Sequence, residues 1–237
     1  MMIDPTTPRG RLVAALMSLA ANRDWSDLEL IDIAREAGLT LADARQHFAT
    51  KAAILAAFTR DMDDALATRM NVRLDRSEAP RDRLFDVVMT RFDLMMPYRP
   101  ALKRISHTMG SAAVGLDPRV VLGSQRWMLA AAGISAEGPL GALRVAGLTA
   151  TYARALRTWL DDEDPGLART MAALDRRLRD GERAMKLAGD VCTGLEGIAS
   201  RLSPWRRRAR DRQRDAEPAP ATPRGDDSPS EPLPGSP

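Results

Sequence analysis

The chain has 237 residues, 44% of them hydrophobic but only 4% aromatic, with a formal net charge of +3 and a pI near 9.5. This is enough apolar material for one larger or two small domains, with a core of Leu, Ala and Met rather than rings. A lone cysteine, Cys192, excludes an intramolecular disulfide and fits a reducing compartment. No leader-like segment opens the chain and no run approaches the roughly 18 apolar residues of a membrane span, so a cytoplasmic location is expected.

Strand formers are scarce while Ala, Leu, Arg and Asp abound, which predicts an all-α chain. Thr7-Pro8 opens the first helix, with Leu12, Leu16 and Leu19 as its inward stripe. Ser26-Asp27-Leu28-Glu29 has the spacing of a capping box at the start of a second helix, which Gly38 ends. Thr40 caps a third, Leu41 to Phe48, across a tight turn. Two short helices joined by a Gly-containing turn make a helix-turn-helix, a geometry that reads DNA.

Thr50 caps a longer helix from Lys51 to about Arg73, which connects the first 58 residues to the rest. Pro80 starts the next, where Leu84, Phe85, Val87, Val88, Phe92, Met95 and Met96 are too many for one stripe. Such a helix is central in a core or lines a cavity. Asp117-Pro118 and Gly138-Pro139 start two more, the latter expected to be the longest. Asp164-Pro165 opens another, with Leu167, Met171, Leu174 and Leu178 at heptad-like spacing. The acidic run Asp161–Asp164 before it is expected to solvate a turn and cap that helix, a weak cation site being the other reading.

From residue 189 the character changes. Val191, Leu195, Ile198, Leu202 and Trp205 recur at helical spacing and lead into Arg206, Arg207, Arg208, Arg210, Arg212 and Arg214. An apolar stripe ending in Trp and Arg suits an interfacial helix on anionic lipid, with Leu202, Trp205 and Arg206–Arg208 at the surface. A dimer or packing helix with a basic tail, or non-specific contact with DNA phosphates, fits the same residues. From about Ala216 onward Pro, Ser, Asp and Glu dominate, the composition of a disordered tail. The expected organisation is therefore a helix-turn-helix domain over 1–58, a helical ligand-binding and dimerisation domain over 59–187, an amphipathic basic helix over 188–214 and a tail over 215–237.

Ile33-Ala34-Arg35-Glu36-Ala37-Gly38-Leu39-Thr40, followed by His47-Phe48-Ala49-Thr50-Lys51-Ala52-Ala53-Ile54-Leu55, resembles the N-terminal domain of TetR-family regulators. The resemblance implies a three-helix DNA-binding domain with a larger C-terminal helical bundle, a homodimer, a double-stranded operator and a small apolar effector. It also implies that Lys51 clamps a phosphate. Under it, Thr40, Leu41, Arg45, Gln46, His47 and Lys51 are the candidate DNA contacts, and Phe85, Met89, Phe92, Met95, Trp127 and Tyr152 the candidate effector contacts.

Asp43, Ala44 and Arg45 stand where such reading helices commonly carry Thr, Leu and Tyr. Arg45 suits guanine or phosphate and Gln46 suits adenine, while Asp43 either accepts from a cytosine amino group or closes a capping box with Thr40. Residues 1–60 hold seven Lys and Arg and seven Asp and Glu, so the module is neutral and offers little net attraction to phosphate.

A second likeness lies in the C-terminal half. Arg91–Arg99, Trp127–Gly133, Arg157–Asp162 and Thr170–Leu178 follow one another as in the lipid-binding accessory proteins of ubiquinone biosynthesis. That similarity implies the same fold on a non-enzymatic, membrane-associated lipid carrier whose helix-turn-helix is vestigial. No phosphate-binding glycine loop, zinc-protease motif or nucleophile elbow is present, and His47 and His107 are the only histidines. Neither an enzyme nor a cofactor or metal is expected.

Overall fold

The computed structural model describes residues 3–70, 77–109 and 117–201, with backbone alone from residue 188 onward. Among these residues there are nine α-helices and no strand. They are α1 (Pro8–Ala20), α2 (Leu30–Glu36), α3 (Leu41–His47), α4 (Lys51–Met70), α5 (Pro80–Met95), α6 (Arg99–Met109), α7 (Pro118–Ala131), α8 (Gly138–Leu160) and α9 (Ala168–Arg201). Short 3₁₀ turns at Trp25–Asp27 and Met96–Tyr98 precede α2 and α6. Residues 1–189 form one compact unit and 190–237 a second. The expected surface residues Leu202, Trp205 and Arg206–Arg208, and the expected disordered tail, lie outside the described residues.

Helix starts follow local chemistry. Proline occupies the first turn of α1, α5, α7 and α8, where its missing N–H is no loss. The Thr7 hydroxyl accepts from Gly10 N–H at 3.0 Å, Thr50 from Ala53 N–H at 3.1 Å, and the Asp117 carboxylate from Arg119 N–H at 2.8 Å. Gly38 sits at φ +65°, a conformation that glycine adopts without a Cβ penalty, and lets the chain turn from α2 into α3.

Two expected starts are displaced. The Ser26 box does not form: Trp25–Asp27 is a 3₁₀ turn, Leu28 is extended, and α2 begins after Glu29. Lys51 is built into this turn: its ammonium binds the carbonyls of Trp25 and Leu28, each at 2.6 Å, while Trp25 O also accepts from Leu28 N–H at 3.4 Å. Asp32 instead accepts from Glu29 N–H at 3.2 Å. Likewise α9 starts at Ala168 rather than at Pro165, because Leu167 is left-handed at φ 53°. At 34 residues α9, not the 23-residue α8, is the longest helix.

One continuous core runs from the helix-turn-helix into the bundle. Leu12 and Leu16 of α1 are fully buried with Leu28 and Ile33, and α1 packs in turn on α4 and α6. Helix α5 lies against α4, α7 and α8, as its broad apolar surface predicts, with Val87, Val88 and Phe92 fully buried. Phe92 stacks on Trp159 and on Tyr152, with ring centroids 5.3 and 5.6 Å apart. No described helix is long and apolar enough to cross a membrane.

Candidate nucleic-acid interface and inner cavity

Helix α3 is anchored by Ala44, which is buried, and by Phe48 just beyond its end. Seven residues make two turns, so the opposite face carries Leu41 with Arg45 one turn on, and Ala42 with Gln46. All four side chains are exposed, as is His47. Neither Arg45 nor Gln46 has a partner among the described residues.

Asp43 is fully engaged at the helix start. Its carboxylate accepts from the Thr40 N–H at 3.1 Å and the Thr40 hydroxyl at 2.6 Å, while the Thr40 oxygen accepts from Asp43 N–H at 3.1 Å. The Thr40 hydrogen bonds, side chain first, hold the Asp43 carboxyl below its usual range. Of the two readings open for Asp43, the geometry therefore favours the cap.

The other cations of the first sixty residues are largely committed. Arg9 pairs with Asp61 at 2.7 Å, Arg23 with Asp32 at 3.3 Å, and Arg35 lies 3.9 Å from Asp32. Lys51, expected to clamp a phosphate, has two of its three donors on backbone carbonyls, and its ammonium lies 5.1 Å from the Trp25 ring centroid. Arg11, Arg45 and Arg60 are left without an ion pair among the described residues.

In the bundle, α4, α5, α6, α7 and α8 enclose a cavity of about 100 Å³. Its apolar wall includes Leu55, Phe58, Met95, Leu102, Ile105 and Leu156. Of the six expected effector contacts, Met95 and Tyr152 line it, and Phe92 stands behind Tyr152 in the ring stack. Phe85 and Met89 border separate surface depressions instead. Trp127 is 60% exposed: its neighbours Met128 and Leu129 take the inward positions of α7.

The polar side of the cavity was not anticipated from the sequence. Arg91 is buried and pairs with the buried carboxylate of Asp63 from α4, and its Nε donates to the Tyr152 hydroxyl at 3.1 Å. The Ser124 hydroxyl donates to the same Asp63 oxygen at 2.8 Å. Burial pulls the Arg91 pKa down, but Tyr152 and Asp63 together hold it above the ordinary arginine value. Burial pushes the Tyr152 phenol up. A signal for this pair was present: Asp63 falls seven residues after Ala56 and seven before Met70 on the buried face of α4, and Arg91 lies between Val88 and Met95 on that of α5. A charge on an apolar face demands a partner across the interface.

Gln125 of α7 is the other polar group of note. It is 3% exposed, and its Oε1 has no partner. A buried amide oxygen left unpaired costs about 1–3 kcal/mol.

The acidic run is also structural. Asp162 turns inward, accepting from Thr170 N–H at 2.8 Å and its hydroxyl at 2.7 Å, while Asp161 pairs with Lys103 at 2.9 Å. Burial raises the Asp162 carboxyl, but the Thr170 hydrogen bonds outweigh it and leave the pKa lowered. Its contribution to stability is present above the unfolded value of 3.8 and lost as pH falls through the folded one. Among the described residues no cluster of three or more His, Cys, Asp or Glu could hold a metal.

Solved structures show the same arrangement of helices. A TetR transcriptional regulator from Rhodococcus sp. RHA1 superposes with a TM-score of 0.57 at 15% identity, covering 75% of this chain and 97% of its own. One from Nitrosomonas europaea gives 0.55 at 20% identity, over 73% and 97%. A third, from Streptomyces coelicolor, gives 0.51 at 18% identity, over 83% and 92%. No protein-family profile matches the sequence, and neither does any curated protein. The chain therefore has the TetR fold: a three-helix head containing a helix-turn-helix, joined to a larger helical bundle.

Proposed function

We propose that the protein is a cytoplasmic, non-enzymatic DNA-binding regulator that acts as a homodimer and responds to a small apolar effector in the inner cavity. The observation that carries this reading is the outward, unpaired Arg45–Gln46 pair on a helix whose one carboxylate is taken up at its own N-terminus. Arg45 suits guanine O6 and N7, Gln46 suits adenine N6 and N7, and Leu41 suits a thymine methyl. His47, at the end of α3, faces a flanking phosphate, while Thr40 sets the start of the helix through Asp43. The solved proteins that share the fold are named transcriptional regulators, which supports the reading.

A dimer is supported by α8, where Leu143, Ala146, Gly147 and Ala150 are exposed at helical spacing and a Cβ added at Gly147 would meet nothing within 4 Å. Two copies joined there carry two reading heads, so the operator has two-fold symmetry. The test is sequencing of the genomic DNA that the protein retains at near-physiological salt. The expected outcome is a two-fold symmetric site. Arg45→Ala should then cost about 1–3 kcal/mol and relax preference at one position per half-site. Identical binding by wild type and Arg45→Ala sinks the proposed mode.

A lipid-binding role on the same fold is the second reading, favoured by the scarcity of free cations around α3. Featureless, salt-sensitive DNA retention together with flotation on anionic vesicles would select it.

A further inference from the structure

We propose that the inner cavity takes a small uncharged molecule with an apolar body and one hydroxyl or amide group, which pairs with the Gln125 amide. This rests on the effector reading above and names the chemical class of the effector.

Most wall groups that could compete for that role are occupied, the half-buried Ser106 hydroxyl of α6 being the exception. Arg91 and Asp63 neutralise one another, and Ser124 donates to Asp63. The Thr59 hydroxyl donates to Leu55 O at 3.2 Å and that of Thr149 to Val145 O at 2.7 Å, so both are bonded to their own helices. The Gln125 side chain is the buried wall amide without a partner among the described residues: its Oε1 accepts from nothing and its Nε2 donates to nothing. It calls for a group that both gives and accepts, as a hydroxyl does.

Charge is disfavoured by the same wall. An anion placed beside Arg91 would also lie beside Asp63, and an ion in a mostly apolar cavity loses its hydration without a free counter-charge. Arg157 also lines the cavity but is exposed, so water screens its charge. Size sets the upper limit. A cavity of about 150 Å³ takes benzene, against about 100 Å³ here. A single ring therefore fits only if a wall residue yields, and Met95 has the unbranched side chain to do so. Short aliphatic alcohols or amides fit without adjustment.

Phenol, toluene and benzoate make a discriminating set, since phenol and toluene are near-isosteric and benzoate carries the charge. Calorimetric titration of the full chain, without DNA, should show phenol binding at least tenfold tighter than toluene, with benzoate weakest. Gln125→Leu should bring phenol and toluene within about twofold of each other, and Gln125→Met, which keeps the unbranched shape, should do the same if the Leu variant fails to fold. Equal binding of phenol and toluene by wild type overturns the proposal, as do a preference that survives both substitutions and tighter binding of benzoate. Because the titration contains no DNA, the two proposals fail separately. A chain that prefers phenol but enriches no operator refutes the regulator, and one that enriches an operator but ignores phenol refutes the ligand class.

Discussion

The helix-turn-helix and the bundle use their charged residues in opposite ways. Around α2 and α3 the carboxylates act locally: Asp43 binds Thr40 three residues away, and Asp32 binds Glu29 at the same spacing. These contacts are exposed and decide where a helix begins. In the bundle, Arg91 and Asp63 are buried and join α5 to α4 across 28 positions of sequence, with Ser124 of α7 as a third member. That contact decides how helices pack. The difference teaches that an ion's importance here follows from its burial and reach, while the neutral net charge of the head says little by itself.

The comparison can be broken at its buried end first. Arg91→Met leaves Asp63 buried and unpaired, and should cost about 3–5 kcal/mol in urea unfolding. Adding Asp63→Leu should restore most of that loss, because two apolar groups replace two ions. A single substitution no worse than a surface one would show that the pair is solvated. Next comes Lys51→Ala, which removes two charge-assisted bonds to carbonyls and should cost about 2 kcal/mol. The salt dependence of DNA binding should stay unchanged; a slope reduced by about one would return Lys51 to the role of phosphate clamp. Smallest is Thr40→Ala, a lost cap worth about 1 kcal/mol. Its effect should appear as faster amide exchange confined to α3.

What the sequence made legible follows the same division. Helix starts carried by a proline, a hydroxyl or a capping carboxylate, at Pro8, Thr40, Thr50, Asp117 and Pro139, lie where a window of four residues places them. Ser26 misled because its box requires helical backbone from Asp27 onward, whereas Leu28 is extended and its carbonyl is held by a distant residue, Lys51. Trp127 misled for a related reason: Trp, Met and Leu are consecutive on α7, and only the neighbouring helices decide which of them turns inward. The cavity was half legible. Met95 and Tyr152 belong to it, but Gln125 and Ser124 lie on α7, whose packing against α4 no local pattern announces.

Helix α6 is eleven residues long, about 16 Å at 1.5 Å per residue. Leu102, Ile105 and Ser106 line the cavity, while the helix also packs on α1 and the 3₁₀ turn of the head, with Arg104 reaching Asp24 at 3.0 Å. One rigid element thus belongs to both places at once. If occupancy of the cavity shifts α6 and thereby alters affinity for DNA by some factor, bound DNA must alter affinity for the occupant by that same factor. Ligand titrations made with and without operator would then give two different dissociation constants, and their ratio would measure the linkage directly.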